Sequence, residues 1–179
     1  DPQAWDLGPW NPWKGKKFES WQAYVDPESL RIKAQHRREG GKNGPLFESP
    51  EVDDSAYPDG MAADLAIEHL RAVKDQPFFM AVGFVKPHLP FNAPKKYWDL
   101  YDPEAIEINS VQQRPEGTPF FVWQNSWELR KYSDIPNNGP IPANLQRKLI
   151  HGYLASVSFV DAQIGRLIDH LDSLGQAEK

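Results

Sequence analysis

Lys86 and His88 are the pair in this sequence best suited to chemistry on an anion. They stand at the end of Phe78–Phe91, a stretch that opens as an unbroken apolar run. A lysine ammonium is a compact point charge, and an imidazole changes protonation near neutral pH. Together they can hold an anion and pass a proton to it. Pro87 and Pro90 fix their own φ and push Lys86 and Leu89 towards extended geometry. His88 is therefore held in a stiff segment, which suits a preorganised site. Spacing alone leaves two readings open: an anion site, or a solvated turn leaving a strand.

The run, bounded by Pro77 and Pro87, is expected to be a strand buried on both faces. Ligands of open α/β sheets bind just beyond the carboxyl ends of the strands, where Lys86 and His88 fall. The spacing predicts a helix before it, with Asp59 as N-cap and Gly60–Val73 as the body. Ala62, Leu65, Ala66, His69, Leu70 and Val73 share one face, which makes His69 a core-edge residue and not a ligand. Helix followed by strand is half of a βαβ unit and predicts an α/β layer. Pro94–Tyr101 reads as a short helix with Pro94 at its first position. Further on, Leu145, Leu149, Tyr153, Ser156, Val160, Ile164, Leu167, Leu171 and Leu174 recur at helical spacing. They predict one amphipathic helix from Ala143 to Leu174, roughly 45 Å long, with Pro142 suited to its start and Gly175 to its end. His151 and His170 fall off that stripe and are expected to be solvated. Asp161 is read as surface or as a partner for another element.

The rest is less regular. Trp5, Trp10, Trp13 and Trp21 crowd the start; such aromatics stack on sugars, but here they are expected to cover a neighbouring core. Residues 31–44 read as an exposed loop. Residues 48–64 carry six acids and no base and are expected to be solvated. Residues 102–142 are broken by proline and read as a long loop or lid, with Phe120–Trp123 as a short strand.

The chain has 179 residues, enough for one domain with a core, and a net charge of −5, which argues against a nucleic-acid partner. No apolar run approaches the roughly 20 residues that cross a bilayer, so no membrane partner is expected. Cysteine is absent, so disulfides and cysteine metal sites are excluded. The buried strand read over 78–86 has no predicted neighbours, and the chain begins at Asp1 without an initiator methionine. A processed product, or a piece of a longer enzyme whose other strands complete the sheet, is expected.

Gly83-Phe84-Val85-Lys86-Pro87-His88-Leu89-Pro90-Phe91, followed by Ala93-Pro94-Lys95-Lys96-Tyr97-Trp98, resembles the iduronate-2-sulfatase branch of the type I sulfatases. Gly139-Pro140-Ile141-Pro142, Gln146-Arg147-Lys148, Tyr153–Asp161 and Gln163-Ile164-Gly165-Arg166-Leu167 resemble the same branch in the same order. Some members carry a histidine where Val85 stands. The resemblance covers 59–101 and 138–174 well and the other segments loosely.

The resemblance implies the central segment of an alkaline-phosphatase-like α/β/α sandwich, with an incomplete sheet. The whole chain, 1–179, is then one partial catalytic domain. It divides into an irregular Trp-rich segment (1–58), helix–strand–short helix (59–101), a long loop (102–142) and a long helix (143–174). The implied activity is hydrolysis of sulfate esters of carbohydrate, by an enzyme that is secreted or periplasmic. The implied cofactors are calcium and a formylglycine made in a Cys-x-Pro-x-Arg motif; none is expected on residues of this chain. Its partners are a sulfated saccharide and the remaining part of the sulfatase polypeptide. His88 carries over as the catalytic and sulfate-binding residue, with Lys86 as a substrate-binding neighbour. The chain alone is expected to be inactive. The alternatives are a phosphoester or phosphonate hydrolase of the same superfamily, and a non-catalytic carbohydrate-binding or interaction module.

Overall fold

Asp26, Pro27 and Glu28 start the first helix, α1 (Pro27–Arg38), in a computed structural model that describes residues 6, 9–11, 18, 22–111, 113–122 and 126–176. Asp26 caps it by accepting the Glu28 N–H at 2.9 Å, and Pro27 fits a turn that needs no donor. His36, Arg37 and Arg38 end it, where the helix dipole favours cations. Residues 31–38 are thus helical, a correction to the loop expected over 31–44. Few of α1's residues are apolar, so hydrophobic spacing did not mark it; the cap was the available signal. Trp5, Trp13, Trp21 and Trp123 lie outside the described residues, whereas Trp10 is exposed.

The sheet is small. Phe47–Glu48 (β1) and Phe91–Asn92 (β2) pair in parallel, Phe47 opposite Phe91 and Glu48 opposite Asn92. Helix α2 (Pro58–Val73) lies between them in the chain as the crossover, so the α/β expectation holds as a unit with an incomplete sheet. The strand that follows α2 is β2, not the apolar run. Residues 77–85 pair with no strand among the described residues, and Phe78, Phe79 and Val82 are 40%, 80% and 36% exposed. The buried strand expected there is corrected. A run of apolar residues becomes an inner strand only when ladder partners and two covering layers are supplied, and the described residues supply neither. Phe120–Val122 forms a 3₁₀ turn in place of the short strand expected.

Short helix α3 (Lys95–Trp98) follows β2, with Pro94 at its N-cap. Helix α4 (Ala143–Ser173) then packs across α2, α3 and β2. Gly175, at φ +65°, supplies the left-handed residue beyond its end. The buried side of α4 is Gly152, Ala155, Ser156, Phe159 and Gln163, while Tyr153 and Ile164 stand exposed. The predicted stripe is therefore offset towards the small residues. Close approach decides this: a Cβ on Gly152 would lie 2.9 Å from Phe91 Cβ and 2.9 Å from Trp98 Cη2. Gly152→Ala is expected to cost about 1–3 kcal/mol by overpacking, read as a lowered urea midpoint. An unchanged midpoint would mean that both rings give way freely.

Phe159 is fully buried between Tyr57 and Tyr97, in a core with Leu46, Phe91, Trp98 and Ile135. His151, expected to be solvated, instead donates from Nε2 to the Trp98 carbonyl at 2.8 Å and meets that ring edge-on. His170 is half-buried, also against expectation. The acids of 48–64 divide: Glu51 and Asp53 are exposed as expected, but the others are not. Glu48 and Asp59 are buried, and Asp54 accepts from Tyr97 Oη at 2.8 Å and Gln163 Nε2 at 3.0 Å. Lys96 Nζ lies 2.8 Å from Asp54, and Arg166 pairs with Asp64. Burial alone would raise the Asp54 pKa. The hydrogen bonds from Lys96, Gln163 and Tyr97 outweigh it and hold the carboxyl below its usual range. Donors far away in sequence satisfy Asp54, Asp59 and Asp64, which a local charge count does not register.

Candidate functional site

The first turn of α2 grips the end of the apolar run. Asp59 was expected to cap α2; Tyr57 holds that position, and the Asp59 carboxylate is spent elsewhere. Its Oδ1 accepts the Val85 N–H and its Oδ2 accepts the Lys86 N–H, each at 2.9 Å. A carboxylate taking two adjacent amides sets both position and direction of the chain. The exit is held by the sheet, where Phe91 N–H donates to the Leu46 carbonyl at 2.7 Å. Between these anchors runs the loop 86–90, whose Lys86–Pro87 and Leu89–Pro90 peptide bonds are both cis.

Lys86 points inward. It is 9% exposed, and its Nζ donates to the Pro90 carbonyl at 2.5 Å and the His88 carbonyl at 3.4 Å. Burial pushes its pKa down to about 8, against the attraction of Asp59 and Glu48. Glu48 itself is enclosed, and burial pushes its pKa up although Tyr57 Oη and the Val25 and Asp26 amides donate to it.

His88 points outward. Its backbone N–H donates to the Val85 carbonyl at 3.0 Å, and its side chain is half exposed. Nδ1 lies 2.7 Å from the Leu89 carbonyl, which assigns the hydrogen to Nδ1, since a carbonyl can only accept. Nε2 lies on the other side of the ring, 3.8 Å from Glu128 Oε1. When the ring is protonated, Nε2 also carries an N–H. Lys86 and His88 are thus brought into one loop but face opposite ways. Sequence reasoning missed Asp59 in this role and Glu128 altogether. Asp59 reaches amides 26 and 27 positions away, and no local pattern encodes that.

Two hollows among the described residues lie elsewhere. One, of about 420 Å³, is lined by Glu51, Asp53, Lys95, Lys96 and Asp99; another, of about 610 Å³, by Lys74, Phe78 and Leu171 among others. Chemistry and not concavity singles out the His88 loop: a half-exposed imidazole on a doubly anchored segment. Among the described residues no three His, Asp or Glu side chains stand together as ligands for a metal ion. With no cysteine in the chain, the Cys-x-Pro-x-Arg source of a formylglycine is also missing. Neither a calcium site nor a formylglycine is therefore assigned to the described residues. No described helix is long and apolar enough to cross a membrane.

The family model described as Sulfatase matches residues 4–179. Human iduronate 2-sulfatase is 32% identical over 184 residues, covering 97% of this chain and 31% of that protein. Mouse iduronate 2-sulfatase is 30% identical over the same shares. A sulfatase of Formosa agariphila is 32% identical over 170 residues, 89% of this chain and 30% of its own length. The chain thus spans a little under a third of the length of these relatives. It belongs to the sulfatase family and is similar along almost its whole length to iduronate 2-sulfatases.

Proposed function

We propose that the complete polypeptide hydrolyses sulfate esters of a saccharide and that this chain contributes one wall of the active site through His88. The observation that carries the proposal is the outward Nε2 of His88 on a loop tied at both ends. Cleavage of a sulfate ester puts negative charge on the leaving oxygen and spreads it over the sulfuryl oxygens. A protonated imidazole answers that charge by a hydrogen bond to a sulfuryl oxygen or by giving its proton to the leaving oxygen. Lys86 enters as a positive charge behind the loop. The formylglycine nucleophile and calcium ion belong, in this proposal, to polypeptide beyond these residues.

The same proposal accounts for the exposed apolar run. Residues 77–85, unpaired among the described residues, would become an inner strand of an α/β/α sandwich only when strands from the rest of the polypeptide pair on either side. The exposed ring of Phe79 and the parallel pairing of β1 with β2 support this. The four segments 1–58, 59–101, 102–142 and 143–174 are then parts of one catalytic domain.

Paired sulfate and phosphate esters of one alcohol test the reaction class. The complete enzyme is expected to show the higher kcat/KM on the sulfate, and a preference for the phosphate would move it to phosphoester hydrolysis. The 179-residue chain alone is expected to release no product from an aryl sulfate. Turnover by the pure chain would show that a nucleophile lies within it.

A further inference from the structure

We propose that Lys86 and Asp59 form a tether that positions His88, with Lys86 acting through the loop and not by touching substrate. The inference rests on the proposed role of His88 and names what holds that residue. An ammonium has three donors and no acceptor, and two of the Lys86 donors are directed at carbonyls within its own loop. One of those carbonyls belongs to His88 and the other to Pro90, so the side chain closes the loop across its base. One donor remains, but to present it to a sulfuryl oxygen Nζ would have to come out of an enclosed position and away from these carbonyls. The carbonyls would then lose their charged donor, at a cost comparable to a lost hydrogen bond each.

Asp59 secures the other side of the same base. Its carboxylate holds the amides of Val85 and Lys86, and the Val85 carbonyl in turn accepts from the His88 amide. A chain of bonds therefore runs from the first turn of α2 through Asp59 to residues 85 and 86, and from there to the backbone of His88. Neither Asp59 nor Lys86 needs to reach the reacting atoms. What they determine is where the imidazole stands, and small misplacement of a catalytic group is costly. Lys86 and Asp59 are positioning residues in this sense.

Three measurements on the complete enzyme test the tether. Lys86→Met is expected to lower kcat roughly ten- to a hundredfold and to move KM by less than about threefold. In a His88→Ala background the same replacement is expected to cost less than about threefold further, since the group being positioned is gone. Losses that multiply in the double variant overturn the tether. If His88→Ala alone leaves kcat intact, the proposed role of His88 fails instead. Amide hydrogen exchange then judges the tether by itself. Exchange at the His88 amide is expected to speed up in Lys86→Met and in Asp59→Asn, the latter serving if the former does not fold. Unchanged exchange overturns the tether. In the unmutated enzyme, inorganic sulfate is expected to shift the ring nitrogens of His88 and leave Lys86 Nζ unmoved. A Lys86 shift as large as that of His88 would make it a sulfate contact and sink the inference.

Discussion

Replacing His88 by alanine in the complete enzyme is expected to lower kcat by roughly 10²–10⁴-fold, the range in which a positioned acid or base acts. The hydrogen bond between Nδ1 and the Leu89 carbonyl is what makes the residue worth so much. It fixes the tautomer and aims Nε2 away from the loop, so little reorganisation is needed when charge develops. The two roles open to His88 separate by leaving group. If His88 gives its proton to the leaving oxygen, the loss is large for an alkyl or sugar sulfate and small for a nitrophenyl sulfate, whose leaving group needs no proton. If His88 holds a sulfuryl oxygen, the loss is similar for both. His88→Gln keeps a donor but no transferable proton, and recovers activity only in the second case. A His88→Ala enzyme with near-normal kcat on both esters would remove His88 from the mechanism. Glu128 offers a smaller refinement. Its carboxylate lies near Nε2 and is half exposed, so solvent screens its influence on the ring.

The sequence revealed the His88 loop because its signal is local: a Lys-Pro-His-Leu-Pro run stiffened by two prolines. It also revealed the long helix α4, whose spacing repeats over many turns. What it did not reveal follows from where the partners lie. Phe78–Val85 is apolar enough for an inner strand, yet hydropathy does not say which residues do the covering. The acids Glu48, Asp54, Asp59 and Asp64 look like a solvated cluster until Lys96, Tyr97, Gln163, Arg166 and the amides of 85–86 are folded onto them. Helix α1 carries too few apolar residues to show a stripe and was announced only by its cap. Lys86 was legible as a cation beside His88, but its inward direction depends on the loop closing beneath it.

Stability is expected to depend most on Phe159. Phe159→Ala removes a fully buried ring that lies 6.0 Å from Tyr57 and 5.3 Å from Tyr97, centroid to centroid. The cost expected is about 3–5 kcal/mol, part lost transfer free energy and part residual cavity. Collapse cannot recover much of it, because the walls are fixed by other bonds. Tyr57 Oη donates to Glu48 at 2.6 Å, and Tyr97 Oη donates to Asp54 at 2.8 Å. Neither ring can move inward to fill the space without leaving a buried carboxylate short of a donor. Damage at Phe159 therefore spreads to the start of α2, through Tyr57 at its N-cap and through Asp54 in the turn before it. That same helix carries Asp59, so the variant should loosen the His88 loop as well as the core. Urea unfolding of the complete protein, with Asp161→Ala as an exposed comparison on the same helix, measures the first effect. Exchange at the Val85 and Lys86 amides measures the second. A midpoint shift no larger than that of Asp161→Ala would show that α4 is not held through Phe159. A large shift with unchanged amide exchange would show that Asp59 keeps its grip independently of the core.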